Sequence, residues 1–334
     1  MKFLNKLEIN QIEWEKMISS SPNSTFFHTP ECYQFFTSLS FLEPFLFGVE
    51  EDNELKGIFT GYIVAETGKL GRFLSRRAIV PGGVLFNNGI SDAAIELLLK
   101  GSIENLKSKA IYIEIRNLIG YENYIKTFEN EGFAYHKHLN IKVNVSAREP
   151  VLKKLSKSKR RQYRMACRAG VQWRETDRME DVIAFYNCLK QLYRQRIGVP
   201  LFPLEFFEKA IKSPMIKLLV VTHNGKIIGG ILCALQPEGT VYEWFVCGSI
   251  AAGAKTFPSV VATVAGMEYA AANGYKTFDF MGAGSPGKPY GVRDFKLKFG
   301  GVMVEDGRFL YICNRILYYS GIVLIKIYKA CRFL

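Results

Sequence analysis

Apolar positions along the chain switch between two periods. LFGVEE (46–51), ELKGIFTGYIV (54–64), IYIEIRN (111–117), IKLLVV (216–221) and VYEWFVCG (241–248) alternate, or run apolar throughout, over strand lengths. SDAAIELLLKGSIENLKSK (91–109) and FPSVVATVAGMEYAAANG (257–274) are longer and read as helices. The punctuation agrees with this reading. Thr29 before Pro30 predicts a capped helix start within FFHTPECYQFF (26–36), Ser91 predicts a second cap, and Asn273-Gly274 predicts a helix stop. Asp52-Asn53 and Asn224-Gly225 predict hairpin turns, IVPGGVLFNNG (79–89) a glycine-rich loop around a short strand, and GFAYHKHLNIKVNV (132–145) a strand pair.

This order occurs twice. The hairpin LFGVEEDNELKGIFTGYI (46–63) aligns on LLVVTHNGKIIGGILCAL (218–235), with Gly57 over Gly229. The helix and strand ending in IYIEIR match those ending in TFDFMG (277–282). A hairpin, helix and strand in the same order predict one α/β or α+β unit used twice. The expected division is 1–148, a basic linker helix over 149–175, a second unit over 176–310, and a C-terminal helix over 311–334.

Composition and charge add a partner to this picture. The chain has 334 residues, 48% hydrophobic and 22% charged, enough for two cored domains. Lys and Arg total 44 against 31 Asp and Glu, a net charge of +13 that predicts an anionic partner. Eight cations and no acid lie between Lys153 and Arg168, which reads either as a solvated linker helix or as a surface for nucleotide, RNA or lipid phosphates. The N-terminus lacks an apolar signal core. Seven scattered cysteines fit reduced thiols in a cytoplasm. The C-terminal stretch 311–334 is apolar, tyrosine-rich and basic, but its longest uncharged run is the ten residues 316–325, against the ~20 a membrane span needs. It reads equally as a helix lying in a membrane interface or as one packed on the protein.

The candidate chemistry lies in FDFMGAGSPGKPYGVRDFKLKFGG (278–301). A strand feeds a Gly/Pro loop and then Arg293, Lys296 and Lys298, an arrangement suited to holding an anion or oxyanion, or to a plain surface turn before a helix. Nucleotide-binding glycine loops and a G-x-S-x-G elbow are absent. His136 and His138 share a strand face with no third ligand nearby, so no metal is expected. A cationic, glycine-rich cleft without a nucleophile suits direct transfer between two bound substrates.

SKSKRRQYRMACRAGVQWRE, then YRQRIGVP before a helix, YEWFVCGS and finally GVRDFKLKFGG together resemble the FemABX family. The resemblance implies two tandem domains of the GNAT (acyl-CoA N-acyltransferase) fold, each a mixed sheet flanked by helices. It implies an acyltransferase that moves an aminoacyl or acyl group onto an amine of a cell-envelope precursor, UDP- or lipid-linked, for peptidoglycan or surface polysaccharide. The donor would be aminoacyl-tRNA or acyl-CoA. The segment 291–301 carries the most specific match. By that match Lys296 stabilises the oxyanion with Phe295 packed beside it, Arg196 binds precursor phosphates, and Tyr242 or Trp244 lines the substrate groove. Arg293 and Arg116 are further substrate-binding candidates. The loop Gly248–Lys255 bears glycines but lacks the leading Arg or Gln of the GNAT pyrophosphate signature. No tightly bound cofactor is implied, and the expected location is the cytoplasm, either free or peripheral at the inner face of the membrane. A second reading is a non-catalytic protein of this fold that binds membrane or RNA through its basic linker and tail.

Overall fold

The computed structural model describes residues 1–65, 75–146, 149–197, 200–236, 239–249 and 251–331, with side chains described through 324. Two compact units share the chain. One holds Met1–Lys137 and Asp306–Leu334, the other His138–Glu305.

The first unit runs β1 (Lys2–Asn5), α1 (Gln11–Ser20), α2 (Pro30–Ser38), β2 (Leu42–Glu51), β3 (Glu54–Val64), β4 (Arg77–Gly82), β5 (Leu85–Phe86), α3 (Asp92–Leu106), β6 (Tyr112–Asn117), α4 (Ile125–Asn130) and β7 (Ala134–His136). The second runs β8 (Leu139–Asn144), α5 (Val151–Lys154), α6 (Lys157–Arg168), β9 (Gln172–Thr176), α7 (Met179–Leu192), α8 (Leu204–Ala210), β10 (Ile216–His223), β11 (Lys226–Leu235), β12 (Thr240–Gly248), α9 (Pro258–Ala272), β13 (Thr277–Asp279), α10 (Gly291–Leu297) and β14 (Val302–Glu305). The chain then returns to the first unit with β15 (Arg308–Ile312) and α11 (Arg315–Cys331).

In the first unit the sheet order is β1-β2-β3-β4-β6-β15-β7, with β5 on β3, and β4 pairs β6 in parallel. Helix α3 begins as expected, the Ser91 hydroxyl accepting from Ala94 N at 3.1 Å. It buries Ile95, Leu98, Leu99 and Ile103 against Phe59, Val80 and Ile113. Thr29 likewise caps α2, with Pro30 at its first position. In the second unit the order is β14-β8-β13-β12-β11-β10-β9, and here β12 and β13 are the parallel pair. Helix α9 is apolar nearly all round, with nine residues from Val260 to Ala270 buried, as a helix enclosed by its own unit must be.

The repeat read from the sequence is present in detail. Both hairpins turn through left-handed residues, Asp52 and Asn53 (φ 55° and 59°) and Asn224 and Gly225 (φ 50° and 73°). Gly57 pairs Val49 and Gly229 pairs Val221, and in each hairpin a bulge begins at that pair.

Three expectations differ from the structure. The strands in 132–145 do not pair: β7 joins β15 in one sheet, while β8 joins β13 and β14 in the other, so His136 and His138 share no strand. The stretch 149–175 is no free linker. Glu268 of α9 accepts from Tyr163 of α6 at 3.2 Å and from Trp173 of β9 at 3.1 Å, tying both to the second unit. Finally, the segment after Glu305 belongs to the first unit. β15 supplies the strand between β6 and β7 and buries Phe309 completely.

Candidate functional site

The parallel ladder of β12 and β13 is short. It pairs Thr240, Val241 and Tyr242 with Thr277, Phe278 and Asp279, after which β12 continues to Gly248 while the chain beyond Asp279 leaves as a loop. Beside the parting point β12 carries a bulge: Cys233 pairs Glu243 and Leu232 pairs Phe245, leaving Trp244 as the extra residue. The gap therefore opens at the carboxyl end of β13, beside the middle of its parallel partner β12, on the side where ligands of open α/β sheets bind.

The departing loop is held by buried polar groups. Asp279 Oδ1 accepts from Met281 N at 2.6 Å and from Asn140 Nδ2 at 2.9 Å, and Asn140 Oδ1 accepts from Gly282 N at 2.8 Å. This turn holds Met281 in the left-handed region at φ 56°, uncommon for a residue with a Cβ. After α10 the chain passes so close to α5 that a Cβ on Gly300 (φ 88°) would lie 2.3 Å from the Lys154 carbonyl oxygen.

Helix α10 points Lys296 back at the strand end. Its ammonium donates to the Phe280 oxygen at 2.7 Å and the Gly282 oxygen at 2.9 Å, and lies 3.7 Å from Glu243 Oε1. Both side chains are largely enclosed, 13% and 3% exposed. Thr263 of α9 donates to the other Glu243 oxygen at 3.3 Å. Burial pushes the Glu243 carboxyl up to about 7, with the Asp279 charge adding to it, against the pull of Lys296 and Thr263. A carboxyl poised there, beside a fixed ammonium, can exchange a proton at neutral pH.

The other expected residues are distributed as follows. Phe295 packs on Phe299 at 5.1 Å, and the Lys159 ammonium of α6 sits 4.1 Å from its ring centre. Burial, with Lys298 nearby, lowers Lys159 to about 8. Arg293 donates to the carbonyl oxygens of Ala283, Ser285 and Lys288, so its guanidinium braces the loop, and its donors are not aimed at a substrate. Tyr242 is buried in β12. Trp244 is half-buried and meets Phe206 edge to face at 5.0 Å. Arg196 is exposed on a π-turn, Tyr193–Ile197, directly after α7; the neighbouring Gly198 and Val199 lie outside the described residues.

Arg116 belongs to the other unit. Its guanidinium, with that of Arg308, grips Glu114 at 2.7 Å each. Burial works to raise that carboxyl, but the two arginines outweigh it and hold Glu114 at about 2.

Sequence reading missed Glu243, Asn140, Asp279 and Lys159. A signal was present for two of them: Glu243 in VYEWFVC and Asp279 in FDF are acids inside apolar strands, costly to bury without a task. Nothing local marks Asn140 or Lys159. Among the described residues no group of three His, Cys, Asp or Glu could hold a metal. The loop Gly248–Lys255 turns through left-handed Gly253 and Lys255 into the start of α9, and Ile250 lies outside the described residues. Exposed Lys255 and a helix N-terminus suit a phosphate there, despite the missing Arg or Gln.

Residues 153–296 match the family model "Acetyltransferase (GNAT) domain". No curated protein sequence matches the chain. Solved structures with a similar fold include FemX, at 16% identity over 96% of this chain and 99% of that one, TM-score 0.71. They also include L-PGS from Bacillus licheniformis, at 13% identity over 95% and 96%, TM-score 0.57. A tandem GNAT protein from the clavulanic acid biosynthesis pathway matches at 7% identity over 94% and 98%, TM-score 0.60.

Proposed function

We propose, for a chain whose fold is FemABX-like and tandem GNAT and whose residues 153–296 form an acyltransferase domain, that it moves an aminoacyl or acyl group onto an amine of a cell-envelope precursor. The observation that carries this reading is the enclosed Glu243–Lys296 pair at the parting of β12 and β13. The acceptor enters as an ammonium and loses one proton to Glu243, directly or through a water. The free amine attacks the donor's ester or thioester carbonyl, the C–N bond forms, the C–O or C–S bond breaks, and the leaving oxygen or sulfur takes up the second proton shed by the nitrogen. The fixed Lys296 charge lowers the energy of the intervening oxyanion, while its two carbonyl contacts hold the strand end apart. Phe295 backs this segment, Trp244 and Tyr242 border the groove, and Arg196 takes precursor phosphates.

Helix α6 supports an RNA-borne donor over acyl-CoA. Lys157, Arg161, Arg164 and Arg168 are exposed at steps of four, three and four residues, one stripe along roughly 16 Å of helix. They border a shallow cavity of about 330 Å³ with Arg160 and Met165. Such a row suits successive phosphates of an aminoacyl-tRNA. Because these donors and precursors are cytoplasmic, we place the protein on the inner side of the membrane.

The test is transfer from labelled aminoacyl-tRNA, and in parallel from acetyl-CoA, to a UDP-linked muramyl peptide. Lys296→Ala should lower kcat/KM by roughly 10²–10³-fold with the thermal transition retained. An unchanged rate in a folded variant removes Lys296 from the chemistry.

A further inference from the structure

Helix α11 has two apolar faces, and the first unit covers one of them. On the inner side Tyr318 meets Tyr112 edge to face at 5.5 Å, and Leu317 and Ile322 are half-buried. The helix start is fixed by Asn314, whose side chain accepts from Leu317 N at 3.0 Å. On the outer side Ile316, Tyr319, Val323 and Leu324 are 80%, 57%, 53% and 59% exposed. At about 100° per residue these four fall within an arc of roughly 140°. Within that arc only Ser320 is polar, and so large an apolar face left in water marks a surface that something covers.

We infer that the outer face of α11 seats in the headgroup region of a membrane bearing anionic lipid. Charge selects this occupant. From Gly307 to Leu334 there is no acid, while Arg308, Arg315, Lys326, Lys329 and Arg332 are cations. Arg308 is held by Glu114 in the first unit, and the other four follow it in the sequence. A second copy of the chain would bring four like charges to the same contact, whereas anionic headgroups neutralise them. An apolar arc, a basic sequence without acids and an outward Tyr319 are the composition of a helix lying in the interface, with Tyr319 at headgroup depth. No helix among the described residues is long and apolar enough to cross a membrane. The inference rests on the first unit alone and stands apart from the transfer chemistry assigned to the second.

Flotation of the full chain with vesicles tests it. Phosphatidylcholine vesicles with roughly one-third phosphatidylglycerol should carry the protein up, pure phosphatidylcholine should carry much less, and added salt should weaken the association. The triple variant Ile316→Ser, Val323→Ser, Leu324→Ser should lower the apparent affinity by about tenfold or more. Its acyl transfer to a water-soluble acceptor should be unchanged, which separates failure here from failure of the transfer reading. A second probe is Tyr319→Trp, whose emission should shift to the blue on adding anionic vesicles. No flotation, equal flotation of the triple variant, or an unshifted emission spectrum of the Tyr319→Trp variant overturns the inference. So does a dimer in sedimentation that the triple variant dissolves while vesicles bind neither form.

Discussion

Lys296 directs two of its three ammonium protons to strand-end carbonyls and faces Glu243 with the remaining charge. The residue holds the chain after β13 in place, and in the proposed transfer it would also keep a positive charge where the oxyanion forms. Glu243 is the residue whose protonation should limit the reaction. A base held at about 7 is inactive when protonated, so kcat/KM should rise with pH through about 7. Glu243→Gln should lower the rate by about 10²-fold or more and flatten that limb. A limb that persists in the variant assigns the ionisation to another group, the acceptor amine among them.

At the scale of elements, α6 changes most between sequence and structure. Its six cations divide by role. Lys159 is enclosed over Phe295 and Phe299, and Arg160 donates to the carbonyls of Leu152, Lys153 and Leu155. Lys157, Arg161, Arg164 and Arg168 face water. Reversing two of the outward cations, Arg161→Glu with Arg164→Glu, should raise KM for aminoacyl-tRNA and reduce the salt slope of RNA binding by about two. Transfer from acetyl-CoA, if the protein uses it, should not change. Loss with both donors would show that the stripe serves the fold or the acceptor.

For the molecule as a whole, the return of the chain into the first unit is the decisive feature. β15 lies between β6 and β7, and Phe309 stacks on Phe128 at 4.2 Å. Removing Phe309 alone should cost about 3–5 kcal/mol, a large share of a domain's stability. A chain ending at Glu305 should therefore lose the first unit's thermal transition and become protease-sensitive. A chain ending at Asn314 keeps β15 and should retain both. Equal stability of the two truncations would mean that β15 is dispensable to that sheet.

Periodicity and turn chemistry in the sequence determined the repeated hairpins, the caps at Thr29 and Ser91, and the two long helices, because each of these is decided within a few residues. The motif from Gly291 to Gly301 likewise drew attention to the segment that carries Lys296, since its glycines and cations lie in one short run. Tertiary structure decided the rest. Whether 132–145 forms one hairpin or feeds two sheets depends on β15, more than 160 residues away. Whether Arg293 meets a ligand or braces a loop depends on where the carbonyls of 283–288 turn. Glu243 and Lys296 are separated by more than fifty residues and become a pair only because β12 and β13 part beside α10. Enclosure by distant elements sets both the charge of a side chain and the partner it can reach.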